Sequence, residues 1–147
     1  MRRMSILTLV FIMVLALLGP LPAASADANF VVIVHPDIAG DELPKVILSA
    51  IFLRKAPRWE NGLDVRPVDQ SMSSPVRAAF TAAVLDVPVH GIQRFWSDEI
   101  SKGVQPPPVK SSDADVIAYV ASTRGAIGYV SATTAVPQAV KAMRVAE

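Results

Sequence analysis

The densest group of chemistry-bearing residues in this sequence is the segment Asp69-Gln70-Ser71-Met72-Ser73-Ser74-Pro75-Val76-Arg77. The residues before it read as the end of a strand, and those after it as the start of a helix. A helix N-terminus exposes unpaired backbone N–H groups and about half a positive charge, so it can hold an oxyanion. The hydroxyls of Ser71, Ser73 and Ser74 would add donors there, as would the Arg77 guanidinium one turn in. These four side chains are the candidate ligand-binding residues. The plainer reading of the same segment is a serine helix cap followed by a solvated arginine.

Other chemistry is scarce. The sequence contains no cysteine, so it has neither a thiol nucleophile nor a disulfide framework. His35 and His90 lie far apart, with no metal-ligand spacing around either. No Gly-x-Ser-x-Gly elbow marks a nucleophile. Gly125-Ala126-Ile127-Gly128 follows a helical pattern instead of opening one, unlike a phosphate-cradling nucleotide loop. The reading is a non-catalytic protein with no metal and no cofactor.

The elements that must position the segment alternate between strand and helix. Phe30-Val31-Val32-Ile33-Val34 is a continuous apolar run, as expected of a strand covered on both faces. A helix is expected from about Asp41, with Leu43, Val46, Ile47, Ala50 and Ile51 on its inner face and Arg54, Lys55 and Pro57 at its end. Residues 63–68 form a weaker strand interrupted by Pro67. The next helix follows a serine cap with Pro75 at its first position, and turns Val76, Ala79, Phe80, Ala83 and Val84 inward. Another spans about residues 91–102 and buries Ile92, Phe95, Trp96 and Ile100. The last begins at a capping box of Ser112 and Asp115, faces inward with Val116, Ile117 and Val120, and ends at Gly125 in a left-handed cap. Ala126-Ile127-Gly128-Tyr129-Val130 reads as a second buried strand, and residues 140–145 fit a final strand better than the alternative, a short helix. This alternation predicts an α/β fold with a mainly parallel sheet flanked by helices.

The first residues predict export. Arg2 and Arg3 form a basic head, an apolar run follows from Ile6 to Leu18, and Ala24-Ser25-Ala26 supplies the small residues that a signal peptidase requires. That run is shorter than the roughly 20 residues a spanning helix needs. Residues 1–26 are therefore read as a cleaved signal peptide and residues 27–147 as one mature domain, periplasmic or secreted, with membrane contact only before cleavage. The full sequence has 14 basic and 13 acidic residues, and Arg2 and Arg3 leave with the signal, so the mature chain is close to neutral. Nucleic acid would call for a basic excess, and is excluded as a partner.

A resemblance now enters through several short stretches taken together. They are Ile51-Phe52-Leu53-Arg54-Lys55 with Arg58-Trp59 and Asn61-Gly62, then Pro67-Val68-Asp69-Gln70, then Ser73-Ser74-Pro75-Val76-Arg77 with Phe80. Phe95-Trp96, Lys102-Gly103 with Pro106-Pro107, and Gly125-Ala126-Ile127-Gly128-Tyr129-Val130 complete the set. In order and spacing the chain resembles small periplasmic proteins related to the phosphate-binding (substrate-binding) component of phosphate ABC transporters. The resemblance implies a single lobe of a periplasmic-binding-protein-like fold. At the helix start the family carries Ser-Gly-Thr-Arg; here Ser74 and Arg77 match it, while Pro75 removes a backbone donor and Val76 a hydroxyl. Gln70 stands where the family places an arginine.

Two functional expectations follow. One is weak binding of phosphate or a related oxyanion at Ser71, Ser73, Ser74 and Arg77, in the service of an ABC transporter permease. The alternative is an interaction module without a small ligand, which docks on a membrane or envelope partner or dimerises.

Overall fold

The computed structural model of the protein describes residues 29–147. The export signal expected over residues 1–26, and its cleavage point, lie outside the described residues. The first described strand, β1 (Phe30–Val34), is the middle of a five-stranded sheet. It is flanked by β6 (Ala126–Ser131) and β7 (Lys141–Ala146), and the edges are β2 (Glu42–Pro44) beyond β7 and β3 (Arg66–Pro67) beyond β6. A separate two-stranded parallel piece pairs β4 (Asp69–Gln70) with β5 (Val109–Lys110). The helices are α1 (Lys45–Phe52), α2 (Pro75–Val84), α3 (Val89–Ser101) and α4 (Asp113–Ser122).

Successive side chains of a strand point to opposite faces, and β1 uses both. Phe30, Val32 and Val34 face a core shared with Leu48, Ile51 and Phe52 of α1 and Phe80 and Val84 of α2. Ile33 and its partly buried neighbour Val31 face Val116 and Val120 of α4. Strand β6 divides the same way, with Ile127 and Tyr129 on the aromatic side and Ala126 and Val130 against α4. Between them Gly128 admits α4 to the sheet, because a Cβ there would lie 2.7 Å from Val116 and 2.8 Å from Val68. Gly125 is fixed more firmly. Its φ is +79°, a Cβ would meet the Asp64 carbonyl oxygen at 2.1 Å, and its own carbonyl accepts a hydrogen bond from the Trp59 indole at 2.9 Å.

The α/β class holds, but the sheet is mixed. β1 runs antiparallel to both β6 and β7, while β2 pairs with β7 and β3 with β6 in parallel. A continuous apolar run reports cover on both faces. It carries no information on strand direction, and an antiparallel strand roofed by helices reads the same.

The first helix differs too. Glu42–Pro44 is an edge strand, Pro44 is the N-cap, and the helix begins at Lys45. Its buried residues are Leu48, Ile51 and Phe52, whereas Val46 is 73% and Ile47 43% exposed. Apolar residues occupy nearly every position of this helix, so no stripe marked the inner side. Arg54, with φ of 60°, turns the chain away after it. Residues 63–68 contribute only Arg66–Pro67 to the sheet, with the proline on an edge strand, where its missing N–H is tolerated.

The other helices follow the expected pattern more closely. α2 has Ser74 as N-cap and Pro75 at its first position, and buries Phe80 and Val84, but Arg77 and Thr81 as well, leaving Ala83 exposed. α3 starts two residues early and packs on α2; it buries Ile92 and Trp96, while Phe95 is partly buried and Ile100 half exposed. In α4 the Ser112 hydroxyl accepts from the Asp115 N–H at 3.1 Å, but the Asp115 carboxylate takes the Ser111 hydroxyl instead of closing the box. Among the described residues no helix is long and apolar enough to cross a membrane, and no cluster of metal-ligating side chains is present.

Candidate functional site

Strand β4 leads directly into the start of α2, so Asp69 and Gln70 meet the first helical turn across a short loop. The chain reverses there, with the Ser74 N–H donating to the Ser71 carbonyl at 2.9 Å. Arg77 points back over this reversal. Its Nη1 donates to the Gln70 carbonyl at 2.6 Å, and its Nη2 lies 3.1 Å from the Asp69 carboxylate. The two side chains are 6% and 13% exposed. Arg77 is therefore neither a solvated side chain nor a free cation, and its charge is offset by Asp69. Its buried Nε has no hydrogen-bond partner.

Gln70 ties the site to the sheet. Its amide nitrogen donates to Asp113 at 2.8 Å and to the Tyr129 carbonyl at 2.9 Å, and its amide oxygen accepts from the Ser74 hydroxyl at 2.8 Å. Asp113 in turn accepts from the Ser131 N–H and the Thr134 hydroxyl. These bonds outweigh the opposing effect of burial and hold the Asp113 carboxyl below its ordinary range. Asp69 accepts from the Gln70 N–H at 2.8 Å and from the Tyr129 hydroxyl. Burial pushes the Asp69 carboxyl above its ordinary range, and the Arg77 charge, the Tyr129 hydroxyl and the Gln70 N–H pull it only part of the way back. Burial, and then the adjacent Asp69 charge, push the Tyr129 hydroxyl up, so it stays neutral and donates.

The four residues expected from sequence lie in one seven-residue stretch but do different things, and only Arg77 among them lines the groove beside Asp69. Ser74 is spent, since its hydroxyl donates to Gln70 and accepts from the Arg77 N–H at 3.3 Å. Ser71 and Ser73 share a hydrogen bond of 3.1 Å near the surface. Arg77, with Asp69 and Met72, lines a groove of about 450 Å³ whose other walls include Ile92, Trp96, Ile100 and Pro107. Asp69 was not singled out from the sequence. A visible signal existed in an acid at a strand end facing a cation in the first turn of the next helix, a pairing that a tight reversal permits.

No family model and no curated protein matches the sequence. In fold it is similar to solved substrate-binding components of transporters. One is an ABC-type phosphate transport receptor from Vibrio cholerae, at TM-score 0.63 and 17% identity over 80% of this chain and 46% of that one. A second is a putative phosphate ABC transporter substrate-binding protein from Clostridium perfringens, with bound phosphate, at TM-score 0.59 and 20% identity over 80% and 44%. PstS from Borrelia burgdorferi matches at TM-score 0.61 and 15% identity over 80% and 47%. This chain thus spans less than half the length of each of these three structures.

Proposed function

We propose that this protein is an exported, non-catalytic substrate-binding-protein-like domain. It binds phosphate or a related oxyanion weakly at the start of α2, and it works beside an ABC transporter permease or another envelope protein. Residues 1–26 direct export and are removed. Arg77 is the ligand residue inside the groove; Ser71, Ser73 and the first-turn N–H of Val76, which has no intrahelical acceptor, are further donors of the same stretch that lie outside the groove's lining. Ser74 belongs to the same set and acts by holding Gln70 and the Arg77 backbone in place.

The observation that carries this reading is the Arg77–Asp69 pair lining a groove at a helix N-terminus. An anion that reaches Arg77 must share it with a carboxylate 3.1 Å away. Two anionic groups that share one cation in a poorly solvated site disfavour each other strongly. An oxyanion that keeps a proton escapes the conflict, because it accepts from Arg77 and donates to Asp69. Hydrogen phosphate and dihydrogen phosphate have such a proton; sulfate at neutral pH has none.

Calorimetry of residues 27–147 tests this. Phosphate is expected to bind with Kd on the order of 1 mM, about −4 kcal/mol. Affinity should fall as salt rises, since exposed charge interactions are screened over about 8–10 Å. Sulfate should give no heat at the same concentration. Silence from phosphate at about 50 mM, some fifty times that Kd, would remove the oxyanion reading. The interaction-module reading would then lead, favoured by the exposed Val46 and Ile47 on α1.

A further inference from the structure

The groove that reaches Arg77 is not shaped for a bare inorganic ion. The Asp69–Arg77 pair is among its lining residues, and most of the rest are apolar: Ile92, Trp96, Ile100, Pro106, Pro107 and Val109. Its volume of about 450 Å³ falls in the range of small-molecule sites, roughly 300–1,000 Å³. Two of these apolar residues stay conspicuously wet, with Ile100 50% and Val109 54% exposed. The polar end retains an unsatisfied buried donor, the Arg77 Nε. Polar groups that fix orientation, set in an otherwise apolar cleft, are what an amphiphilic ligand requires.

We infer that the groove takes an oxyanion bearing an apolar substituent, a phosphonate or phosphomonoester with an aryl or short alkyl group. The head group lies at Arg77 and Asp69, keeping one proton for the carboxylate. The tail lies along Trp96 and the prolines, and covers Ile100 and Val109. The inference rests on the oxyanion reading and adds the ligand class to it. A fully ionised head group is disfavoured by Asp69, and a polar tail by the walls.

The test is titration of the mature chain with phosphate and with phenylphosphonate, at mildly acidic pH so that each keeps a proton. Wild type is compared with Ile100→Ser/Val109→Ser, whose exposed positions should leave stability nearly unchanged. Phenylphosphonate is expected to bind wild type about tenfold tighter than phosphate, roughly 1.4 kcal/mol. In the double variant the ratio of the two affinities should fall to about threefold or less. Phosphate binding without any gain for phenylphosphonate would overturn this inference and leave the oxyanion reading intact. An equal gain in both proteins would place the tail outside the groove and also overturn it. Failure of both ligands to bind would remove the oxyanion reading itself. Equal binding of benzyl alcohol, which has the ring without the oxyanion, would show apolar capture alone and likewise count against it.

Discussion

Phe80→Ala is expected to lower the stability of the domain by about 3–5 kcal/mol. Phe80 is 1% exposed and stacks on Tyr129 with ring centroids 3.9 Å apart and planes 5° apart. Phe52 at 4.6 Å and Phe30 at 5.2 Å enclose it from other sides. Four elements therefore meet on one ring, and truncation leaves a cavity that none can close without moving the others. No disulfide compensates, because the chain has no cysteine. Small domains are typically stable by about 5–15 kcal/mol, so the variant would sit near unfolding. Urea titration followed by far-UV circular dichroism measures this. An unchanged midpoint would mean that Phe80 does not hold these layers together.

Arg77→Ala should be comparably damaging, by about 3–5 kcal/mol at neutral pH, because it strands a buried carboxylate. The pH dependence separates this from simple loss of side-chain contacts. Asp69 already has its folded pKa raised by burial. Removing Arg77 takes away a charge that lowers it, so it rises further. A carboxyl whose folded pKa lies above its unfolded value weakens the fold as pH rises through that window, and costs nothing below the unfolded value. The gap between wild type and variant is thus expected to narrow as pH falls from 7 toward 4. A gap of constant size across that range would show that the ion pair contributes little.

Much of the frame was legible from residue types. The β-branched run at Phe30–Val34 and the strand at Ala126–Ser131 stand where the pattern put them. The start of α2 follows from Ser74 and Pro75, a capping hydroxyl beside a residue with no N–H to satisfy. Strand direction was not legible, because burial on two faces produces the same run in either orientation. The inner face of α1 was hidden because apolar residues occupy most of its positions. At the site, sequence located Arg77 and the serines. Their pairing was not legible, because Asp69, Gln70, Tyr129 and Asp113 converge on them through tertiary contacts that follow no helical or strand period.

Asp69 is the residue on which ligand choice turns, and Asp69→Asn tests that with almost no change of volume. The amide keeps an oxygen for the Gln70 N–H and the Tyr129 hydroxyl and removes the charge that faces Arg77. Thermal melting should first establish that the variant is folded. Sulfate, silent with wild type, should then bind at about the millimolar level, a gain of at least tenfold, roughly 1.4 kcal/mol. Phosphate should lose its advantage, so that the two anions bind alike. Sulfate still silent in a folded Asp69→Asn protein that binds phosphate as wild type does would contradict a site in which Arg77 and Asp69 share a proton-bearing oxyanion.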